Sequence, residues 1–314
     1  MPELRKDYIL DRWVIIATER AKRPSDFQHV VVQNKQETAC AFCPGNQEKA
    51  HDDIFRTPET GSWNIRVIHN KYPAVRMQGD PAIKTHNEFY TFADAYGSHE
   101  VVIETPDHAK QLWDLTVDSI VSLLDVFQQR ITALLRVKGI NYVQVFKNHD
   151  IAAGTSIAHS HSQIIGYNII PKTIRDKQLA IASHPGCAYC SVIEREKDSY
   201  RRCFENTTMI AFTPYASRFP FEIFILPKKH ITTFAALESM RDLASILKQT
   251  LDKLHALNAP YNLVFFYAPD NTNIHFHIEV LPRLTTWAGF EYSGTIINPM
   301  PPEEAARYYR GELS

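Results

Sequence analysis

Two long stretches of the chain carry apolar residues at helical spacing. They cover residues 112–135 and 237–254, and each ends shortly before a glycine or a proline. Residues three and four apart share one face of a helix, so both stretches predict an amphipathic helix. Shorter apolar runs at 100–104 and 142–146 have the pattern of strands. The chain therefore combines helices with strands.

The order of these features in the first half of the chain is repeated in the second half. Each half begins with a C-x-x-C pair and continues with a strand, a histidine, the long helix, another strand and an H-x-H motif. Self-similarity on this scale indicates a duplicated unit. We predict two units, 1–170 and 171–314, the second with a C-terminal extension from Leu284. Strands grouped around one helix in each unit favour an α+β fold with a mainly antiparallel sheet.

Composition and charge narrow the class of protein. The 314 residues are 44% hydrophobic, with 34 basic and 35 acidic residues and a formal net charge of −1. This balance gives no support for a nucleic-acid partner, and no apolar run approaches the roughly 18 residues of a membrane span. The beginning of the chain lacks the basic and apolar regions of a signal peptide, so we expect a cytoplasmic protein. No G-x-G pair or Walker sequence supports dinucleotide or P-loop chemistry.

Four of the five cysteines form the two C-x-x-C pairs. In a cytoplasmic protein such pairs are either redox-active or metal-binding. A redox pair would open a helix after a strand, whereas here two histidines follow each pair at matching places, and tetrahedral zinc takes four such ligands. The alternative is that the cysteines and histidines are unrelated. We predict two zinc ions per chain. The predicted ligands are Cys40, Cys43, His108 and His159 for the first ion, and Cys187, Cys190, His230 and His275 for the second.

The segment 148–163 carries polar residues with catalytic potential. Alternation along a strand would point His159, His161 and Gln163 the same way. A strand would hold His161 rigidly between a structural anchor and a hydrogen-bond donor. Neutral imidazole is a competent nucleophile toward phosphorus, and the nearby Asn148 and Gly154 fit a phosphate site. The alternative is a histidine-rich strand in a polar sheet.

Six segments together carry a resemblance to a known family. They are residues 20–24, 40–46, 66–73, 106–108, 148–163 and 275–277. With these segments the chain resembles the galactose-1-phosphate uridylyltransferase family, the nucleotidyl-transfer branch of the histidine-triad superfamily, over nearly its whole length. The resemblance implies a duplicated histidine-triad (HIT-like) fold, in agreement with the repeat. It also implies a transferase of galactose metabolism.

The resemblance assigns roles to individual residues. His161 matches the nucleophile that takes the nucleoside monophosphate, Gln163 matches an amide donor to a nonbridging phosphoryl oxygen, and His159 matches a zinc ligand. Hydrolytic relatives have a third histidine in place of Gln163, and an amide, which cannot exchange protons, is expected to favour transfer over hydrolysis. The residues that match substrate-binding positions are Arg20, Arg23, Asn70, Asn148, Gly154 and Ser156.

The chain departs from the familiar bacterial members of the family at three places. It has His159-Ser-His161-Ser-Gln163 rather than His-Pro-His-Gly-Gln, a cysteine pair in its second metal set, and residues 287–291 where a sugar-binding Lys-Phe segment is expected. These differences resemble a sister group that includes the ADP-glucose phosphorylases.

The favoured prediction is a galactose-1-phosphate uridylyltransferase. Such an enzyme moves a nucleotidyl group from a nucleotide sugar to a sugar 1-phosphate through a covalent nucleotidyl-histidine. An ADP-sugar phosphorylase with inorganic phosphate as acceptor is the first alternative, and a zinc-stabilised nucleic-acid-binding module is a distant one that the charge balance disfavours. In this family the C-terminal part of a neighbouring subunit completes the sugar site. We therefore expect a homodimer, with residues 287–302 at the interface.

Overall fold

The computed structural model describes residues 2–17, 40–46, 52–269 and 272–313, which form five helices and fifteen strands. The strands are β1 (Glu3–Lys6), β2 (Trp13–Ile16), β3 (Asp53–Thr57), β4 (Ile65–His69), β5 (Lys84–Thr85), β6 (Thr91–Phe92), β7 (Gly97–Ile103), β8 (Tyr142–His149), β9 (His161–Tyr167), β10 (Arg202–Glu205), β11 (Met209–Phe212), β12 (Ile223–Pro227), β13 (Tyr261–Phe266), β14 (His277–Pro282) and β15 (Ile296–Asn298). The helices are α1 (Val117–Leu135), α2 (Lys172–Ala182), α3 (Ala188–Glu196), α4 (Met240–Ala256) and α5 (Pro302–Arg310).

Ten of the strands form one antiparallel sheet that runs through both halves of the chain. The strand order is β10-β11-β12-β14-β13-β8-β9-β7-β4-β3. Each half contributes five neighbouring strands. From the edge of the sheet inward, the strands of each half follow the same order along the chain: first, second, third, fifth and fourth. The halves meet where β8 pairs with β13. This arrangement confirms the α+β fold with duplicated units. The division at residue 170 stays a prediction.

The two long helices, α1 and α4, pack against each other and against the sheet. The side chains of Thr116 and Ser239 accept hydrogen bonds from the backbone amides of the first turns, so these two residues are the N-caps. Both helices therefore begin later than their apolar patterns predict, and short 3₁₀ turns precede the caps. Among the helices of the described ranges, none has the length and apolar character needed to cross a membrane.

The C-terminal extension returns to the beginning of the chain. Strand β15 pairs in parallel with β2, and Ile296 packs with Val14 and Ile16 in a small apolar cluster. The indole of Trp287 stacks on Phe219, with ring centroids 5.4 Å apart and planes 3° from parallel. These apolar residues of the extension thus have partners within their own chain. Their apolar character does not by itself require a neighbouring subunit.

Candidate active site and metal centres

The four predicted ligands of the first metal set come together beside the start of β9. Nδ1 of His159 lies 3.8 Å from Cys40 Sγ and 3.6 Å from Cys43 Sγ, and Nδ1 of His108 lies 3.3 Å from Cys43 Sγ. All four ligand atoms lie within 4.8 Å of one another. A tetrahedral zinc site, with bonds of about 2.3 Å to sulfur and about 2.0 Å to nitrogen, has S···N edges of about 3.6 Å. The cluster therefore has the dimensions of a four-coordinate metal site.

A backbone hydrogen bond orients His159 as a ligand. Its Nε2 lies 2.7 Å from the carbonyl oxygen of Thr105. Because a carbonyl only accepts, Nε2 carries the proton and Nδ1 presents its lone pair to the cysteines. Burial lowers the pKa of His159, while burial and the neighbouring Cys40 raise the pKa of Cys43 to about 11. A bound cation would therefore displace thiol protons rather than histidine protons.

The second predicted set is assembled in the same way. Nδ1 of His275 lies 3.7 Å from Cys187 Sγ and 3.6 Å from Cys190 Sγ, and the Nδ1 atoms of His230 and His275 are 3.3 Å apart. Nε2 of His275 lies 2.9 Å from the carbonyl oxygen of Pro227, which fixes the same tautomer as in the first set. Burial lowers the pKa of His275 to about 3. Each half of the chain thus carries a closed Cys₂His₂ cluster that could hold a metal ion.

His161 begins β9, two residues after the metal-set histidine. Its Nδ1 lies 2.9 Å from the carbonyl oxygen of His159, so Nδ1 donates a hydrogen bond and Nε2 keeps its lone pair. Phe42, from the first C-x-x-C segment, packs edge-on against the ring at a centroid distance of 5.4 Å. Burial lowers the pKa of His161, which favours the neutral imidazole. In the part of the chain that the structure describes, no group hydrogen bonds with Nε2. The ring is thus oriented and neutral, as a nucleophile must be.

A buried ion pair holds the backbone at the start of β9. Nζ of Lys147 donates to Glu104 at 2.8 Å, to the Ser160 hydroxyl at 3.0 Å and to the His161 carbonyl at 3.0 Å. The hydroxyls of Ser160 and Ser162 both donate to Glu104. Ser160 and Ser162 therefore belong to one network. Two small polar residues that alternate with His159, His161 and Gln163 were the sequence signal for such a network, but they do not reveal its ion pair.

The side chains of Gln163 and Asn70 both contact His99, a residue that the sequence pattern does not single out. Oε1 of Gln163 lies 2.8 Å from Nε2 of His99, and Nδ2 of Asn70 lies 3.1 Å from the same nitrogen. The pairing of β7 with both β4 and β9 brings these three side chains together. The predicted substrate-binding residues Arg20 and Arg23 lie outside the described residues.

A tight turn closes the site after β8. Residues Ile151–Ala153 form a 3₁₀ turn that ends at Gly154, whose φ of +93° is in the left-handed region that glycine adopts without strain. The amide of Gly154 donates to the Ile151 carbonyl within the turn, so it is not available to a phosphate, whereas Ser156 is exposed just beyond it. A cavity of about 190 Å³ lies between this turn and β9, with Asn148 and His161 in its lining.

The equivalent positions in the second half have different surroundings. His277 and Glu279 follow the second metal set on β14 as His161 and Gln163 follow the first set on β9. Nδ1 of His277 lies 2.7 Å from the carbonyl oxygen two residues earlier, so both halves fix the same tautomer. Here, however, Nζ of Lys177 donates to Nε2 of His277 at 2.7 Å and to Glu279 at 2.6 Å. The imidazole nitrogen that has no hydrogen-bond partner among the described residues in the first half is occupied in the second.

The duplicated HIT-like fold and the His-x-His-x-Gln motif beside a Cys₂His₂ cluster are those of a nucleotidyltransferase. A family model described as "Galactose-1-phosphate uridyl transferase, N-terminal domain" matches residues 1–171, more than half of the chain. The chain belongs to the galactose-1-phosphate uridylyltransferase family.

Relatives and a solved structure match over nearly the whole length. An ADP-glucose phosphorylase of Arabidopsis thaliana is 34% identical, the match covering 98% of this chain and 92% of that protein. A galactose-1-phosphate uridylyltransferase of Thermotoga maritima is 30% identical, over 99% of this chain and 98% of that protein. The crystal structure of an Arabidopsis thaliana ADP-glucose phosphorylase with bound ADP-glucose superposes with a TM-score of 0.84 at 30% identity, covering 100% of both chains.

Proposed function

We propose that the chain is a hexose-1-phosphate uridylyltransferase that works through a covalent nucleotidyl group on His161. The observation that carries the proposal is the orientation of this imidazole. Its Nδ1 is committed to the His159 carbonyl, its Nε2 has no hydrogen-bond partner among the described residues, and His161 lines the same cavity as Asn148. Membership of the family supports the same reaction.

The first half-reaction is a displacement at phosphorus. Nε2 of His161 attacks the α-phosphorus of the nucleotide sugar, a nitrogen–phosphorus bond forms, and the bond from that phosphorus to the bridging oxygen breaks. Sugar 1-phosphate leaves with the bonding electrons. The positive charge that the imidazole gains stays next to the His159 carbonyl, which accepts from its Nδ1–H. The amide of Gln163 donates to a nonbridging oxygen, where negative charge is concentrated.

The second half-reaction reverses the first with a different acceptor. A phosphate oxygen of the incoming sugar 1-phosphate attacks the same phosphorus, and the bond to Nε2 of His161 breaks. Water is a poor acceptor because Gln163 offers it no base, an amide being unable to take a proton. Both half-reactions use one site, so initial-rate plots are expected to be ping-pong.

Both Cys₂His₂ clusters are proposed to bind zinc, two ions per chain. The S···N distances of 3.3 to 3.8 Å and the Nδ1···Nδ1 distance of 3.3 Å fit tetrahedral coordination by two thiolates and two imidazoles. All four positions of each site come from the protein, so zinc would supply a structural cross-link and folding free energy. In the first half this cross-link holds His159, and with it the backbone carbonyl that orients His161.

A second candidate function is ADP-sugar phosphorylase. The 34% identity to an ADP-glucose phosphorylase and the TM-score of 0.84 to a structure with bound ADP-glucose favour it specifically. The covalent step on His161 would be the same, with an adenylyl group transferred to inorganic phosphate. Only the base and the acceptor distinguish the two candidates.

A donor panel tests both candidates in one experiment. The protein is mixed with UDP-glucose, UDP-galactose, ADP-glucose or no donor, and the mass of the intact chain is measured. We expect a uridylyl adduct, its loss on adding galactose 1-phosphate, and no loss on adding inorganic phosphate. An adenylyl adduct discharged by phosphate would establish the phosphorylase instead. The absence of any adduct, with turnover intact, would overturn the covalent mechanism.

We also propose assembly as a homodimer, which the family resemblance implies, and a cytoplasmic location. The contact of Trp287 with Phe219 removes part of the argument from apolar content. Light scattering at assay concentration measures the assembly directly, and a fully active monomer would contradict it.

A further inference from the structure

The two amide side chains beside His161 have ends of opposite polarity. An amide that serves a phosphoryl oxygen must present its NH₂ group, because its carbonyl oxygen would repel the phosphate. A side-chain amide that is not held can rotate and present either end. The partners of the carbonyl ends of Gln163 and Asn148 therefore decide whether these residues can act as donors.

For Gln163 the partner is His99. The backbone amide of Ala74 donates to Nδ1 of His99 at 3.2 Å, so this nitrogen carries no proton and the proton of the neutral ring is on Nε2. Nε2 then donates to Oε1 of Gln163 at 2.8 Å. Asn70 also approaches Nε2, but its Oδ1 accepts from the amide of Tyr72, so its nearer atom is an amide nitrogen that cannot accept. The carbonyl end of Gln163 is thereby fixed on His99.

For Asn148 the partner comes from the second half of the chain. Nδ2 of Asn262 donates at 2.8 Å to the carbonyl oxygen of Ala153 and at 2.8 Å to Oδ1 of Asn148. The Ala153 carbonyl can only accept, so it fixes which end of Asn262 is the donor. Nδ2 of Asn148 then faces Gly154. It lies 3.9 Å from the position that a β-carbon on Gly154 would take. The same Asn262 amide also holds the turn at Ala153 in place.

We propose that His99 and Asn262 are positioning residues that fix the NH₂ groups of Gln163 and Asn148 toward the nucleotidyl phosphate. The proposal rests on the proposed function of His161. Neither residue touches the phosphate, so each acts through its amide. Asn262 would make the second half of the chain part of the active site of the first.

Removing either partner frees an amide to rotate. Loss of one preorganised donor to a transition-state oxyanion lowers kcat by about 10²- to 10³-fold, and a donor that is misoriented for part of the time loses less. We expect His99→Phe and Asn262→Asp each to lower kcat for exchange of labelled sugar 1-phosphate into the nucleotide sugar by about 10- to 100-fold. The KM for the donor should change far less than kcat. The aspartate keeps the shape of Asn262 but cannot donate to Ala153 and Asn148.

The matched control is Gln144→Glu. Gln144 also bonds across the β8–β13 junction, donating to the Phe265 carbonyl at 2.8 Å, but it contacts neither amide of the site. This variant makes the same amide-to-acid change and should keep the wild-type kcat. Melting temperatures of all variants show whether folding is intact. If His99→Phe does not fold, His99→Leu, which also cannot donate, replaces it in the same measurements.

Double variants separate positioning from a merely structural role. If His99 acts through Gln163, adding His99→Phe to Gln163→Leu should cause no further loss of kcat, and likewise Asn262→Asp added to Asn148→Leu. The inference would be overturned if the losses of kcat in the double variants were fully additive, or if the single variants kept the wild-type kcat. Either result counts only when the wild-type protein catalyses the exchange. A wild-type protein without exchange or adduct would instead overturn the proposed function.

Discussion

Strands β9 and β14 begin with equivalent histidines, yet these two histidines have different neighbours. In both, a metal-set histidine is followed two residues later by a second histidine whose Nδ1 donates to the backbone. The remaining nitrogen of His161 has no hydrogen-bond partner among the described residues, whereas the remaining nitrogen of His277 accepts from Lys177. The same fold and the same tautomer therefore leave one imidazole nitrogen available and the other occupied. The difference lies in the side chains around the imidazole.

The charges next to His161 and His277 also differ. Gln163 is neutral, while its counterpart Glu279 is a buried carboxylate paired with Lys177 and Arg218. These two cations hold the pKa of Glu279 well below its usual range despite its burial. A phosphate approaching His277 would meet that carboxylate, and its cations are already paired. The residue two positions after His277 would therefore repel a phosphate, whereas the residue two positions after His161 carries no charge.

The largest difference between the halves is expected from removal of the histidines themselves. His161→Asn should abolish the nucleotidyl adduct and lower turnover by at least about 10³-fold, because the reacting lone pair is lost. His277→Asn should leave one adduct per chain, although it disturbs a buried network. Intact-mass measurement after incubation with donor decides the matter. An adduct that disappears with His277 and persists without His161 would reverse the assignment of the halves.

Metal removal should separate the halves next. Cys43→Ser and Cys190→Ser are each expected to lower the zinc content from about two ions to about one and to reduce the melting temperature, because bound metal contributes folding free energy. Only Cys43→Ser should also suppress the adduct in the folded fraction, since its site holds the residue whose carbonyl orients His161. Metal analysis, calorimetry and intact mass provide the three readouts. Unchanged melting of a metal-free protein would contradict a structural role.

The buried lysines provide a comparison of stability. Glu104 has one cation, Lys147, among the described residues, whereas Glu279 keeps Arg218 if Lys177 is replaced. Breaking a buried pair costs about 3 to 5 kcal/mol because it leaves an uncompensated charge. We expect Lys147→Met to lower the free energy of unfolding by about this amount and Lys177→Met by less. Denaturant titration measures both values.

An exposed pair serves as the control for the lysine variants. Lys197 and Glu194 are paired on the surface, so Lys197→Met should leave the denaturation midpoint unchanged. A greater loss from Lys177→Met than from Lys147→Met would show that Arg218 does not compensate for the missing charge.

The smallest expected effect is a pH dependence of stability that comes from His149, where β8 pairs with β13. His149 stacks on Tyr261, and burial lowers its pKa to about 3. Between pH of about 6.5 and 3, the unfolded chain takes up a proton that the folded chain excludes. This group therefore lowers the free energy of unfolding by about 1.4 kcal/mol for each pH unit below about 6.5, and it has no effect above that range.

The contribution is measured by the difference in slope between wild type and His149→Phe from pH 7 to pH 5. The counterpart stack, Tyr142 on Tyr267, has no group that titrates there. Tyr142→Phe, which changes that stack, is the control and should leave the slope unchanged. Equal slopes for wild type and His149→Phe would disprove the assignment.

The sequence predicted those parts of the site that depend on local spacing. Two cysteines three residues apart, and histidines two residues apart at the start of a strand, are placed close together by chain geometry, and the duplication provided a second instance of each. The apolar faces of α1 and α4 follow from their periodicity. Their first residues were not predicted, because the hydroxyls of Thr116 and Ser239 cap the helices, and the apolar residues before these caps lie in or beside short 3₁₀ turns.

The residues that orient the site could not be predicted in this way. His99 and Asn262 meet their amides only because β7 and β13 lie next to β9 and β8 in the sheet, and neither neighbour is adjacent in sequence. Lys177 reaches His277 from a helix one hundred residues earlier. Partners across a sheet depend on strand order, and a single polar residue within an apolar strand does not reveal its partner.

The pairing of β2 with β15 has a consequence for how the protein is made. Strand β2 leaves the ribosome early, whereas Ile296, its partner at Val14, follows only after most of the chain has been synthesised. A contact of such long separation in sequence is slow to form. Until then, Val14 and Ile16 belong to a two-stranded hairpin, which is marginally stable alone and presents an unpaired edge to other nascent chains. The pairing of β15 is therefore a late folding step, in which this strand closes the edge of β2 that β1 leaves open.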